Sequence, residues 1–343
     1  MRSAERQGFV LPLVVVAMLL VALLAGVAQS AAWRATRSAR QAWNGERALL
    51  AADEAIARTV ATWNAEAFAM RPIGSRTVTA VSTAAGEVVA VSSARTQPLV
   101  AFIEADAGSQ TAGAGRRARR RVGRAIFVDP PVVPHDAALV GLSPLRLLGA
   151  ATISGYDSVA TNECGPWRDT ASIAAVHAYS TLRDSSVTLQ GSTAFVSAID
   201  TTRDAATFNT AWTRITARAT PRPSPLASAL TPTQPAWRPI IVSDTAPLAL
   251  TDTVSHEGLL VIDGDVVITG SLRVRGMLIV RGSIDASAGR LDVHGAMLVY
   301  SPTHRASALG SAVTVQYSPC ALARALAAVA TPSSTPFRLW SER

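Results

Sequence analysis

The first 28 residues constrain this chain more than any other segment. A short polar leader that contains Arg2, Glu5 and Arg6 ends at Gly8, and no charged residue follows from Phe9 to Ala28. About 20 apolar residues at 1.5 Å per residue extend roughly 30 Å as a helix, which matches the hydrocarbon core of a bilayer. The sequence therefore predicts a membrane-spanning helix over residues 9–28.

The change from polar to apolar residues between Gly8 and Phe9 resembles the processing site of type IV prepilins, where a peptidase cuts after the glycine. Residues 1–8 are then a prepilin-type leader. Pro12 favours this interpretation, because after cleavage it is the fourth residue, where helical N–H groups have no partner. The alternatives are a secretory signal with a weak cleavage site near Ser30 and a plain uncleaved anchor.

The segment from Arg47 to Ala55 resembles the A-x-x-A-A-E-A stretch of PilX-type N-terminal domains. The resemblance covers about the first 60 residues. Major pilins carry a glutamate at the fifth mature position, whereas this chain has Leu13. The resemblance therefore implies a minor component, either a PilX-type pilus assembly protein or the K-type pseudopilin of type II secretion.

This resemblance implies a structural minor pilin or pseudopilin that takes part in assembly or tip formation of a type IV pilus or type II secretion filament. Its partners would be other pilins or pseudopilins, contacted through the N-terminal helix, together with the inner membrane and prepilin peptidase. The chain would cross the inner membrane once, with its C-terminal domain periplasmic or on a cell-surface filament. Arg34, Arg37 and Arg40 conflict with this topology, because positive residues favour the cytoplasmic side.

The expected fold class is α+β: a long N-terminal membrane and stalk helix, a pilin-like antiparallel sheet and a C-terminal β-solenoid. The stalk helix is predicted over residues 29–71, because Leu49, Ile56, Val60 and Trp63 follow helical spacing. Residues 72–134 contain alternating segments typical of a small antiparallel sheet, at 76–83, 87–92, 99–104 and 124–128.

Residues 135–240 show no clear period, and we predict an irregular β/α region with a proline-rich connector. Within it, residues 207–219 are predicted to form an amphipathic helix with Phe208, Trp212 and Ile215 on one face.

Regularly spaced glycines mark residues 241–343, which we predict to be a β-solenoid followed by a helix that Ser318 caps. They occur at positions 258, 264, 270, 276, 282, 289 and 295. Superposition on a period of about 18–19 residues aligns Gly258, Gly276 and Gly295, each followed by an apolar run. We expect each glycine at a corner where positive φ is needed. The segment resembles bactofilin-like stretches, and a meander of hairpins is the alternative.

The two cysteines, Cys164 and Cys320, are far apart in sequence and lack metal-ligand spacing. If the domain is exported, we predict one disulfide bond between them. If it is cytosolic, we predict two buried thiols.

The net charge is +8, and one run of arginines is dense. This basic patch comprises Arg116, Arg117, Arg119, Arg120 and Arg121. It could bind nucleic acid, anionic lipid or an acidic polymer, but its glycine-rich flank favours a solvated hairpin loop. Nearby aromatic residues that could stack on bases are absent, so we do not expect nucleic acid as a partner.

We predict no enzyme activity, no cofactor and no metal. All basic residues other than histidine are arginine, which excludes a Walker A lysine and a Schiff-base lysine. The Asp263-Gly264-Asp265 segment has too few oxygen ligands around it for calcium, and we interpret it as a turn. Two other functions stay open: a membrane-tethered, bactofilin-like scaffold, and an exported β-solenoid head that is carbohydrate-active or adhesive.

Overall fold

The computed structural model describes residues 10–108, 119–157, 172–196, 201–222, 237–244, 246–335 and 339–342. Within these ranges the chain combines a long apolar N-terminal helix, an antiparallel sheet and parallel sheets. The helices are α1 Val10–Ala61, α2 Ala65–Met70, α3 Thr201–Thr216 and α4 Pro319–Ala327. The first strands are β1 Arg76–Ser82, β2 Val88–Gln97, β3 Val100–Gly108, β4 Arg119–Asp129, β5 Ala137–Gly141, β6 Leu145–Leu147, β7 Thr152–Ser154, β8 Ala174–Ala178, β9 Thr181–Arg183, β10 Thr188–Gln190, β11 Phe195–Val196 and β12 Thr220–Arg222. The remaining strands are β13 Ile240–Ser243, β14 Leu248–Leu250, β15 Thr253–Asp263, β16 Val266–Ile268, β17 Ser271–Arg281, β18 Ile284–Ala286, β19 Arg290–Val299, β20 Ser307–Leu309, β21 Val313–Tyr317, β22 Thr331–Ser334 and β23 Leu339–Glu342.

Helix α1 is 52 residues long, which corresponds to about 78 Å. It ends at Ala61, earlier than the stalk helix that we predicted to continue to residue 71. The reason is Asn64, whose backbone is extended and whose side chain accepts a hydrogen bond from Ala67 N at 2.8 Å. An asparagine in this position caps a new helix, so α2 starts separately.

The antiparallel sheet has the order β1-β2-β3-β4, and both β22 and β23 pair with β4. Its first four strands overlap the four segments predicted from alternation. Strands β2, β3 and β4 are longer than predicted, whereas β1 ends one residue earlier. The predicted limit of 72–134 is too narrow, because the C-terminal strands return to complete this sheet. One face of the sheet packs against the second half of α1.

Two parallel sheets contain all the other described strands, β5 to β21. These strands pair in three long ladders. The first ladder contains β12, β13, the second halves of β15, β17 and β19, then β5, β8 and β11. The second contains β14, β16, β18, β20, β6 and β9. The third contains the first halves of β15, β17 and β19, then β21, β7 and β10.

The register of the glycine repeats is the predicted one. Gly258 pairs with Gly276 and Gly276 pairs with Gly295. Gly276 has a φ of 134°, and a Cβ there would overlap the carbonyl oxygen of Gly258. Each of these three strands passes from the third ladder to the first near its glycine. Glycine is required at this point because only a residue without a side chain fits the backbone there. Gly264 also has positive φ, whereas the glycines at 270, 282 and 289 do not. The prediction that every glycine of the repeat needs a positive φ is therefore confirmed only in part.

The region that we predicted to be irregular, residues 135–240, instead supplies strands to the parallel sheets. Strands β5, β6 and β7 pair with β19, β20 and β21, and β8, β9 and β10 follow in the same order. These strands are short and lack the glycine period, so their sequence carries only a weak signal. Helix α3 lies within this region, with Phe208 and Ile215 buried and Trp212 partly buried.

Apolar runs in the first ladder are buried on both faces. Residues 259–262 and 277–280 are at most 1% exposed. One reason is α4, which contacts β15, β17 and β19 and begins at the predicted cap, Ser318. Strands covered on both faces are typical of parallel sheets.

Candidate functional site

The most unusual surface of the molecule is the first part of α1. Every side chain from Leu11 to Trp43 is exposed, and large apolar residues dominate as far as Val27. Among the described residues, α1 is the one helix long and apolar enough to cross a membrane, judged by length and composition alone. We call residues 11–32 the exposed apolar segment. A surface of this kind requires a bilayer or other helices around it.

The second half of α1 is attached to the antiparallel sheet by small side chains. Ala48, Ala52 and Ala55 are fully buried, and Ala51 and Ile56 are nearly so. These positions follow the i, i+3, i+4 spacing of a single helix face, which contacts β3 and β4. Of the four predicted positions, Ile56 lies on this face, whereas Leu49, Val60 and Trp63 are only partly buried. The small alanine side chain lets the helix approach the sheet closely. A search for large apolar residues at helical spacing does not find a buried face made mainly of alanine.

Polar contacts fix the rotation of α1 on the sheet. Asp53 Oδ1 lies 2.9 Å from Arg124 Nη2, and both side chains are mostly buried. Glu54 accepts a hydrogen bond from Ala84 N at 2.7 Å, and Arg58 donates one to Ser82 O at 2.8 Å. The exposed apolar segment therefore projects from a helix that is firmly held at its other end.

A fully buried arginine joins α2 to the sheet, a feature that the sequence did not lead us to expect. Arg95 on β2 donates hydrogen bonds to Phe68 O, Ala69 O, Arg71 O and Pro98 O at 2.7–3.1 Å. Burial, with smaller contributions from the charges of Arg324 and Arg71, lowers the pKa of Arg95 to about 9. The guanidinium satisfies carbonyl groups at the end of α2, so its role is structural.

Two arginines of the basic patch, Arg119 and Arg121, lie in an ion-pair network on the outer face of the sheet. Arg119 Nη2 lies 2.6 Å from Asp106, and Arg121 lies 2.9 Å from Glu104 and 3.3 Å from Asp106. Arg76 completes the network at 2.9 Å from Glu104. Burial raises the pKa of Asp106, but the hydrogen bonds from Arg119 and Arg121 outweigh it and hold that pKa below its ordinary value. These arginines are therefore largely neutralised by the sheet itself.

The other predicted site residues divide between described and undescribed parts of the chain. Gly8, Phe9, Arg116, Arg117 and Cys164 lie outside the described residues. Arg120 lies beside Gly45 of α1, where an added Cβ would come within 2.7 Å of its Nη2. Cys320 is the second residue of α4 and takes part in a disulfide bond. Its pairing with Cys164 stays a prediction.

Among the described residues, no group of three or more histidine, cysteine, aspartate or glutamate side chains is arranged to hold a metal ion. Asp265, in the segment considered for calcium, instead accepts hydrogen bonds from Ser283 N and Oγ at 2.7 and 2.8 Å. Burial raises the pKa of Asp265, but Ser283 and Arg305 outweigh this effect and lower it. The carboxylate connects one turn of the parallel sheets to the next.

Comparisons with known proteins identify no family for this chain. No protein-family model matches it, and no curated protein matches it in sequence. Among solved structures it is similar to the competence-associated pilin ComZ from Thermus thermophilus, at 10% identity, covering 88% of this chain and 98% of that chain. The TM-score is 0.25. A score of this size does not establish a shared fold.

Proposed function

We propose that this protein is a structural subunit held in a membrane by the exposed apolar segment of α1, a minor pilin or pseudopilin rather than an enzyme. The observation that carries the proposal is the division of α1 into two parts. Residues 11–43 are exposed throughout, whereas the alanine face around Ala52 packs on the antiparallel sheet. One helix thus serves both as an anchor and as the support of a folded head.

The same helix suits two environments in turn. In a bilayer the exposed apolar segment, about 33 Å long, spans the hydrocarbon core. In a filament it would pack against the corresponding helices of other pilins or pseudopilins, its proposed partners. The mostly buried Asp53–Arg124 pair and the alanine face would keep the head attached during this transfer.

The finer assignment rests on the N-terminal sequence. Gly8-Phe9 resembles a prepilin processing site, and residues 47–55 resemble PilX-type domains. Leu13 replaces the glutamate of major pilins, which favours a minor component that initiates or tips the filament of a type IV pilus or type II secretion system. Prepilin peptidase would process the chain at the inner membrane, and the head would be periplasmic or on a surface filament.

We further propose that the three parallel ladders form one three-sided β-solenoid. Support comes from the constant register, in which Leu260 pairs with Leu278 and Leu278 pairs with Met297. Each of these side chains is at most 1% exposed. Strands from β5 to β11 would continue the stack beyond β19, β20 and β21, so that the solenoid is built from two separate segments of the chain.

A second candidate function is a membrane-tethered scaffold whose head is cytoplasmic. The observation that favours it is the exposed group Arg34, Arg37 and Arg40 on the head side of the apolar segment. Positive charge at that end opposes export of the head, although long domains are translocated largely regardless of flanking charge.

Fusion reporters distinguish the two functions. Alkaline phosphatase, which is active only after export, is fused to the C-terminus of the full chain, and green fluorescent protein is fused in parallel. The minor-pilin proposal predicts phosphatase activity that is lost when residues 9–28 are deleted. A fluorescent membrane protein without phosphatase activity would instead support the cytoplasmic scaffold.

A further inference from the structure

We call residues 33–40 of α1 the arginine segment. We propose that this segment forms a binding site for the anionic headgroups of phospholipids. The inference depends on the proposed function only in requiring α1 to span a bilayer. It applies to the leaflet next to the head, whichever side of the membrane the head occupies.

The arginines of this segment have no acidic partner among the described residues. Arg34, Arg37 and Arg40 are exposed, and no carboxylate of the described chain lies within ion-pair distance of them. Further along the same helix, Arg47 pairs with Glu87 at 2.8 Å and Arg58 pairs with Glu54 at 3.0 Å. The arginine segment therefore differs from the rest of α1 in keeping its charge available for an external anion.

The position of the segment matches the depth of lipid headgroups. The stretch of α1 that lacks charged residues ends just before Arg34. Measured along the axis from Ala32, Arg34 lies about 3 Å, Arg37 about 8 Å and Arg40 about 12 Å further on. The headgroup layer of one leaflet is about 5–8 Å thick. Arg34 and Arg37 thus lie at headgroup depth, and Arg40 lies just above it.

The direction of the side chains favours the membrane over the head. In an α-helix each Cα–Cβ bond tilts toward the N-terminus, which here is the bilayer side. Long arginine side chains can extend along the helix, so the guanidinium of Arg40 reaches back to the phosphates. The planar guanidinium matches phosphate oxygens with two parallel hydrogen bonds. Trp33, 73% exposed and one turn before Arg37, has the amphipathic ring that is enriched at this interface.

A neighbouring copy of the chain is the less suitable partner. It would present the same arginines, and Glu46 is the one acidic residue of α1 before Asp53. Helices placed side by side would therefore bring like charges together, which is unfavourable. Anionic headgroups between them would remove this repulsion, so bound lipid would also permit several copies to lie close together in the membrane.

The test uses the full-length protein in nanodiscs that contain equal amounts of phosphatidylcholine and phosphatidylglycerol. Native mass spectrometry measures the ratio of the two lipids retained on the ejected protein. We expect a phosphatidylglycerol excess of at least about fivefold, since each arginine at a membrane surface contributes roughly that factor. The variant R34Q/R37Q/R40Q is expected to retain the lipids at close to their bulk ratio.

The matched control is R183Q/R273Q/R290Q, which removes the same charge at three exposed positions of the parallel sheets. It is expected to keep the excess of phosphatidylglycerol. Wild-type protein without any excess, or a control variant that loses it equally, would overturn the proposal. Alkaline extraction of the cell membranes from which the protein is purified tests the span itself. Protein that is washed out refutes the membrane helix, whereas retained protein without lipid preference refutes only the arginine segment.

Discussion

Asp53 of α1 and Arg124 of β4 form an ion pair of 2.9 Å in which the side chains are 14% and 18% exposed, respectively. We predict that Asp53→Asn lowers the free energy of unfolding by about 2–3 kcal/mol, because it leaves a largely buried guanidinium without its charged partner. Thermal unfolding of the full-length protein in detergent measures the change. Arg47→Gln is the control, since that side chain is 53% exposed and its ion pair contributes under about 1 kcal/mol. Equal changes in the two variants would contradict a specific role for the Asp53 contact.

The interior of the parallel ladders gives a second prediction. Leu278 is fully buried between Leu260 and Met297, whereas Arg273 on the same strand is exposed. Leu278→Asp is expected to prevent folding of the head, because an unpaired buried charge costs several kcal/mol. Arg273→Asp should change the melting temperature little. If purified full-length protein tolerated both substitutions equally, the ladders would not share a common core.

His256 makes stability depend on pH. It is 7% exposed, and burial, partly offset by backbone hydrogen bonds, lowers its pKa from 6.5 to about 4. Below pH 6.5 the unfolded chain binds a proton at this residue that the folded chain excludes. The free energy of unfolding should therefore fall as the pH decreases from 6.5 to 4, by about 2–3 kcal/mol from this group.

Urea unfolding at several pH values measures this effect. His256→Gln should remove that part of the pH dependence, whereas His304→Asn, at an exposed position, should leave it intact. The assignment to His256 would be wrong if the two variants had the same pH profile.

The disulfide bond of Cys320 leads to a prediction about the compartment of the head. Peptide mapping without reductant should recover Cys164 linked to Cys320. Reduction should lower the free energy of unfolding by up to about 4–5 kcal/mol, because the bond closes a long loop. Two cysteines that react freely with an alkylating reagent in native protein would argue for a reducing, cytoplasmic location.

Local sequence signals predicted the parts of the fold that are regular in sequence. The apolar run predicts α1, alternation predicts β1 to β4, and Ser318-Pro319 predicts the start of α4. The glycine period also gave the register of β15, β17 and β19, because each positive-φ glycine has a fixed place on its strand.

Long-range pairings were not predictable in the same way. Leu139 pairs with Met297 and Ile153 with Val315, although more than a hundred residues separate each pair. Short strands carry little period of their own, and their partners are set by the stack that they join. The burial of Arg95 is unpredictable from sequence for a related reason, because its acceptors are carbonyl groups whose positions only the folded chain defines.

The intact mass of the mature protein tests whether this chain is a membrane-held subunit of the pilin kind. The chain is expressed together with a prepilin peptidase, extracted from membranes and analysed by mass spectrometry. We predict a mature N-terminus at Phe9. We also predict that Gly8→Val leaves the chain unprocessed, because a branched side chain crowds the cleaved bond. A mature chain that still begins at Met1, or at a site near Ser30, would contradict the pilin interpretation.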